Sequence, residues 1–125
     1  MRSCKTNESQ EDYLESIFLI TQKKGFCRSV DVANELGVSK ASVSVAVSKL
    51  QTSDYLYMDD DHMLHLTEFG EQTAQKVYDR HLTLKEMLEK IGVTSELAEQ
   101  EACRMEHVIS DESISKLKSA IQNKV

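Results

Sequence analysis

The sequence predicts a mainly α-helical fold with one small β-hairpin, in two parts over residues 1–66 and 67–125. Three observations carry this. Apolar residues recur at helical spacing along most of the 125 residues, and no proline interrupts them. Two short β-type runs, Tyr55–Met58 and Met63–Leu66, flank the turn Asp59-Asp60-Asp61-His62. Glycine, serine and threonine fall where the helical stretches begin or stop, which is where caps belong.

The first helix has Tyr13, Leu14, Ile17, Phe18 and Ile20 as its apolar period, acidic residues ahead of it, and a stop at Lys24-Gly25. Ser29 is expected to cap a short helix over Val30–Leu36. A turn at Gly37-Val38 follows, and Ser39 caps a second helix from Lys40 to about Thr52. Ala33 is small enough for close helix approach, Gly37 permits the sharp turn, and Val43, Val47 and Leu50 share the inward face. These features together form a helix-turn-helix, and the two strands after it make it a winged one. Ser39, Lys40, Ser42, Ser44, Ser48 and Lys49 are left to the outer surface, as short hydroxyls and cations suited to phosphates and base edges. The aspartates of the wing turn run against this, since phosphate repels them.

Thr67 opens the longest helix, which reaches about Ile91 and ends at Gly92. Thr94 or Ser95 caps the next one. The last starts at Ser110-Asp111 and carries Ile114, Leu117 and Ile121 at spacings of 3 and 4. So short a chain offers that stripe no obvious cover, so a homodimer interface is expected there.

Charge and cysteine content bound the function. The net charge of −6 divides equally, −3 before residue 67 and −3 from it onward, so neither part is a basic module. No run of 18 apolar residues occurs, so no membrane partner is expected. Three cysteines and a start without the apolar stretch of a signal peptide point to a reducing, cytoplasmic setting. Cys4 is expected to be exposed, and Cys27 to be buried packing.

The chemistry concentrates in Glu101-Ala-Cys-Arg-Met-Glu-His107. Cys103, Glu106 and His107 stand at i, i+3 and i+4, so a helix puts thiol, carboxylate and imidazole on one face. That is half of a metal site. Asp12 and Glu15, at i and i+3 on the first helix, and His81 on the long helix are candidates for the remainder. The combined oxygen, nitrogen and sulfur set suits Mn²⁺, Fe²⁺, Co²⁺ or Zn²⁺ rather than Ca²⁺ or Mg²⁺. Taken singly, the acids also fit a first turn favoured by the helix dipole, and His81 a polar-face histidine.

Glu11-Asp-Tyr-Leu-Glu15, the helix-turn-helix, Arg80-His81 and Glu101–Asp111 together resemble the diphtheria toxin repressor family of iron-dependent repressors and manganese transport regulators. The resemblance runs from about Glu11 to Ala120. It implies a dimeric winged-helix repressor, not an enzyme, that binds double-stranded operator DNA when loaded with Fe²⁺ or Mn²⁺, with an α-helical dimerisation domain after the wing. It also places the activating metal on Asp12, Glu15, His81, Cys103, Glu106 and His107. This chain mixes two patterns. Iron-sensing members resemble it at Cys103 but carry methionine where Asp12 stands, and manganese-sensing members resemble it at Asp12 and Glu15 but usually carry glutamate where Cys103 stands. Lys85 replaces the acid expected for an ancillary site, and the SH3-like domain of longer members is expected to be absent from a sequence that runs to Val125. A winged-helix regulator sensing an organic ligand, and a small metalloprotein without DNA binding, remain open as alternatives.

Overall fold

In the computed structural model, residues 9–123 are described, so the expectation for Cys4 lies outside them. They contain six helices and one two-stranded sheet: α1 (Gln10–Lys24), α2 (Ser29–Leu36), α3 (Lys40–Thr52), β1 (Leu56–Met58), β2 (Leu64–Leu66), α4 (Glu68–Lys90), α5 (Ser95–Met105) and α6 (Asp111–Asn123). Two compact units part on α4, between Lys76 and Val77.

In the first unit, Ser9 caps α1 reciprocally. Its hydroxyl accepts from the Asp12 N–H at 3.2 Å, and the Asp12 carboxylate accepts from the Ser9 N–H at 3.4 Å. The helix is buried on every side from Asp12 to Phe18, so it forms the centre of its unit rather than a surface helix. Gly25 ends it at φ 88°.

The helix-turn-helix is built as its residues dictate. Gly37 adopts φ 69°, and the N–H groups of Gly37 and Val38 both reach the Ala33 carbonyl. Ser39 caps α3 by accepting from the Ser42 N–H at 3.1 Å. Val43, Val47 and Leu50 are buried, each worth about 1.5–3 kcal/mol relative to exposure. One cap differs from expectation. Ser29 is already helical, Arg28 is the N-cap, and the Asp31 carboxylate accepts the Arg28 N–H at 3.0 Å. That bond is the returning half of a capping box, and no side chain at Arg28 accepts from the first turn as a capping hydroxyl would.

The strands pair antiparallel, Leu56 with Leu66 and Met58 with Leu64, and the connection before α2 adds a further edge. The Leu64 N–H donates to the Cys27 carbonyl at 2.8 Å, and Arg28 bridges to Met63. Cys27 is fully buried there, and burial pushes its thiol up to about 12, so it is packing and not a nucleophile.

The wing turn is not a cluster of three equivalent aspartates. Asp59 accepts from the Asp61 and Met63 N–H groups and contacts the His65 ring at 2.7 Å. The His65 contact, then those backbone donors, hold its carboxyl below the usual carboxylate range. Asp59 shapes the turn, so only Asp60 and Asp61 are left as the exposed acidic tip.

Thr67 caps α4, its hydroxyl accepting from the Gly70 N–H at 3.0 Å. Gly70 is required by close approach: a Cβ there would lie 1.9 Å from the Tyr55 carbonyl oxygen.

In the second unit Leu84 of α4, Ala102 of α5 and Ile114 of α6 form the core, with Met87, Met105, Ile109 and Leu117 packed on it. This corrects the basis of the dimer expectation. Ile114 is buried and Leu117 half-buried against this chain's own α4 and α5, while Ile121 is half-buried outside that cluster. The exposed apolar residues of the unit are instead Leu82, Ile91, Leu97 and Val108.

Candidate metal centre

The first unit brings two carboxylates to α1. Asp12 and Glu15 stand nearly one turn apart and are 4 % and 0 % exposed. A buried carboxylate is costly unless it is paired, hydrogen-bonded or bound to a cation. Asp12 already serves the cap of α1 with one oxygen.

The second unit assembles a tighter group. His81 projects from α4 and is 2 % exposed, with a carboxylate at each ring nitrogen. Glu106 Oε1 lies 2.9 Å from Nδ1, and Glu99 Oε1 lies 3.0 Å from Nε2. The other Glu106 oxygen lies 3.4 Å from His107 Nε2. Thus a fully buried carboxylate sits between two imidazoles. Tyr78 stacks on the His81 ring at 6.5 Å between centroids.

Helix ends set these positions. Glu106 is the C-cap of α5, still in helical conformation at φ −61° and ψ −21°, and His107 lies in the turn beyond. The expectation that Cys103, Glu106 and His107 share one helix is therefore corrected: α5 stops at Met105, as the chain reverses into α6. Arg80 holds that turn. Its guanidinium donates to the Glu106 carbonyl at 3.2 Å and to the Asp111 carboxylate at 2.5 Å.

Cys103 is 1 % exposed, one turn before Glu106. A buried thiol at this position can serve as a soft ligand in its deprotonated form.

The geometry fits a cation. A neutral imidazole has one N–H and can donate from only one nitrogen. His81 has a carboxylate at both, an arrangement that an imidazolium, or a bound cation in place of one proton, would each satisfy. The mixture of carboxylate, imidazole and, when deprotonated, thiolate suits a first-row divalent ion.

Glu99 was not anticipated. It precedes Cys103 by four residues and Glu106 by seven, so it falls on the same stripe of α5, and that spacing could have revealed it. Lys85, one turn past His81, approaches Glu99 at 3.7 Å, an ammonium beside an acid where a second metal would need another oxygen ligand.

In the first unit, Ser39, Lys40, Ser44, Ser48 and Lys49 are exposed along α3. Ser42 is half-buried, and its hydroxyl accepts from that of Ser39 at 3.1 Å.

Two family descriptions cover nearly all of the sequence. Residues 5–63 match the iron dependent repressor N-terminal DNA binding domain, and residues 67–124 match the iron dependent repressor metal binding and dimerisation domain. The chain belongs to the iron-dependent repressor family. Among curated relatives, the HTH-type transcriptional regulator MntR of Listeria welshimeri is 35 % identical over 114 residues, covering 91 % of this chain and 80 % of that protein. MntR of Bacillus subtilis is 33 % identical over 117 residues, covering 94 % and 82 %. The fold of this chain is similar to that of T. acidophilum IdeR, with TM-score 0.84 and 24 % identity, and to that of the manganese regulator SloR, with TM-score 0.82 and 24 % identity. Both comparisons cover 94 % of this chain, which spans 55 % of each of those solved chains. This iron-dependent repressor relative is thus a transcriptional regulator with a DNA-binding domain, a divalent-metal cofactor and a dimerisation domain. No described helix is long and apolar enough to cross a membrane.

Proposed function

We propose that this protein represses transcription by binding operator DNA as a homodimer when loaded with Mn²⁺ or Fe²⁺, and so controls metal-homeostasis genes in the cytoplasm. The observation that carries this reading is the buried Glu106 carboxylate between His81 and His107, on a chain that also has a helix-turn-helix. Residues 1–66 would form the DNA-binding domain, and residues 67–125 the metal-binding and dimerisation domain.

The proposed ligands are Asp12 and Glu15 from the first unit, with His81, Cys103, Glu106 and His107 from the second. When bound, the cation supplies the positive charge that these acidic groups otherwise lack. The protein's own contribution is placement. Arg80 holds the turn carrying Glu106 and His107, Tyr78 lies against the His81 ring, and Ser9 orients Asp12. Ligands drawn from both units would couple metal binding to the spacing of the two recognition helices of a dimer, which operator half-sites require to be near one helical turn or a multiple of it. Leu82, Ile91, Leu97 and Val108 supply exposed apolar surface for dimerisation.

The choice of metal is testable. Asp12 and Glu15 offer hard oxygens that Mn²⁺ accepts, and Cys103 offers a soft sulfur that Fe²⁺, Co²⁺ or Zn²⁺ prefers. Under anaerobic, reducing conditions, Cys103→Glu should retain Mn²⁺-dependent DNA binding and lose affinity for Zn²⁺. Asp12→Met should weaken the Mn²⁺ response more than the Fe²⁺ response. Unchanged Mn²⁺ activation in Asp12→Met would remove Asp12 from the ligand set. Unchanged affinity of every metal for Cys103→Ala would remove the thiolate.

A further inference from the structure

The outward face of α3 holds a residue that neither folding nor phosphate contact accounts for. Val43, Val47 and Leu50 mark the buried side. Two residues on from Val43, Val45 lies about 200° round the helix, nearly opposite the core. It is 57 % exposed. A β-branched, water-exposed residue gains nothing from packing and is a poor choice for helix propensity.

Its neighbours are suggestive. Ala41 lies one turn before it and Lys49 one turn after, with Ser44 and Ser48 beside them, all exposed. From Lys40 to Lys49 the helix has no Arg, Asn or Gln, the side chains that clamp guanine or adenine with two hydrogen bonds. Ala41, Val45 and Ala46, together with Gln10, Tyr13 and Lys49, border an open recess of about 440 Å³. A base edge carrying an apolar group could approach there.

We propose that Val45 is a base-reading residue whose isopropyl group packs on the C5-methyl of a thymine in the major groove. Val45 sits in the first half of the helix, the part that enters the groove in helix-turn-helix docking. In the major groove thymine alone among the four bases presents a methyl group, so apolar contact there carries sequence information. Lys49, about 40° round from Val45, and Lys40, at the exposed start of the helix, provide cations to hold it on phosphate while Val45 meets a base. This proposal rests on the DNA-binding reading but not on the identity of the metal.

The test uses the full chain with Mn²⁺ and a randomised duplex pool, from which a preferred site is selected. Each thymine of that site is then replaced by deoxyuridine, which removes the methyl group and leaves the hydrogen-bonding edge intact. One thymine per half-site is expected to lose about fourfold in affinity on that change, the worth of one buried methyl. Val45→Ala should bind the thymine site more weakly and no longer distinguish thymine from uracil there. As an alanine on an exposed helical face it should keep the wild-type circular dichroism spectrum. Lys49→Ala should weaken both duplexes equally and lower the salt slope by about one. A Val45→Ala variant that keeps the wild-type thymine-to-uracil ratio overturns the proposal. Enrichment of no duplex overturns this proposal together with the DNA-binding reading beneath it, whereas a selected site indifferent to uracil overturns this proposal alone.

Discussion

Glu106→Gln is expected to lower Mn²⁺ affinity by about 100-fold or more, since even residues one shell removed from a metal are worth about 10–100-fold. Glu106 is fully buried and meets His81 Nδ1 through one oxygen and His107 Nε2 through the other. Glutamine keeps the shape but removes the charge and one acceptor. Isothermal titration with Mn²⁺, and the Mn²⁺ electron paramagnetic resonance signal, measure the change. Glu106→Ala should in addition leave His81 Nδ1 without its partner, costing about 1–3 kcal/mol of apo-protein stability. Wild-type Mn²⁺ binding by Glu106→Gln would show that the buried triad is structural only.

Gly70→Ala should destabilise the fold by about 3 kcal/mol, at the upper end for overpacking, and lower the melting temperature by about 10 °C. The added carbon would lie 1.9 Å from the Tyr55 carbonyl oxygen, which is backbone and cannot rotate away. The same carbonyl accepts the Thr67 N–H at 3.0 Å, so the start of α4 and the residue before β1 would have to separate. Gly92→Ala is the control: no atom lies within 4 Å, and only the strain of φ 103° remains. Thermal denaturation followed by circular dichroism compares them. If Gly70→Ala melts no lower than Gly92→Ala, α4 does not dock on Tyr55 as described.

Much of the fold was legible because local signals coincided with it. Ser39, Gly37 and the spacing of Val43, Val47 and Leu50 each specify the helix-turn-helix independently, and the structure uses all of them. The candidate ligands were legible for a different reason, since acids and imidazoles at helical spacing are rare among otherwise apolar positions. What was hidden depends on tertiary placement. The stripe Ile114, Leu117 and Ile121 signals burial but not its partner, and α4 and α5 of the same chain cover Ile114 and part of Leu117. The end of α5 at Met105 has no proline or glycine to announce it, so His107 was read as helical when it lies in the turn. Asp59 looked like one of three repelling charges, but its partners are backbone N–H groups and a histidine six residues on, which no composition argument ranks. Glu99 depends on a partner eighteen residues away on another helix.

Metal occupancy is expected to control DNA affinity. Fluorescence anisotropy with a selected duplex and the reduced chain, titrated with and without Mn²⁺ at constant ionic strength, measures it. Binding is expected to be tighter by about 10–100-fold with Mn²⁺, the usual range of a coupling free energy between two sites. Equal DNA affinity with and without Mn²⁺, Fe²⁺ and Zn²⁺, in protein shown by titration to hold the metal, would contradict it.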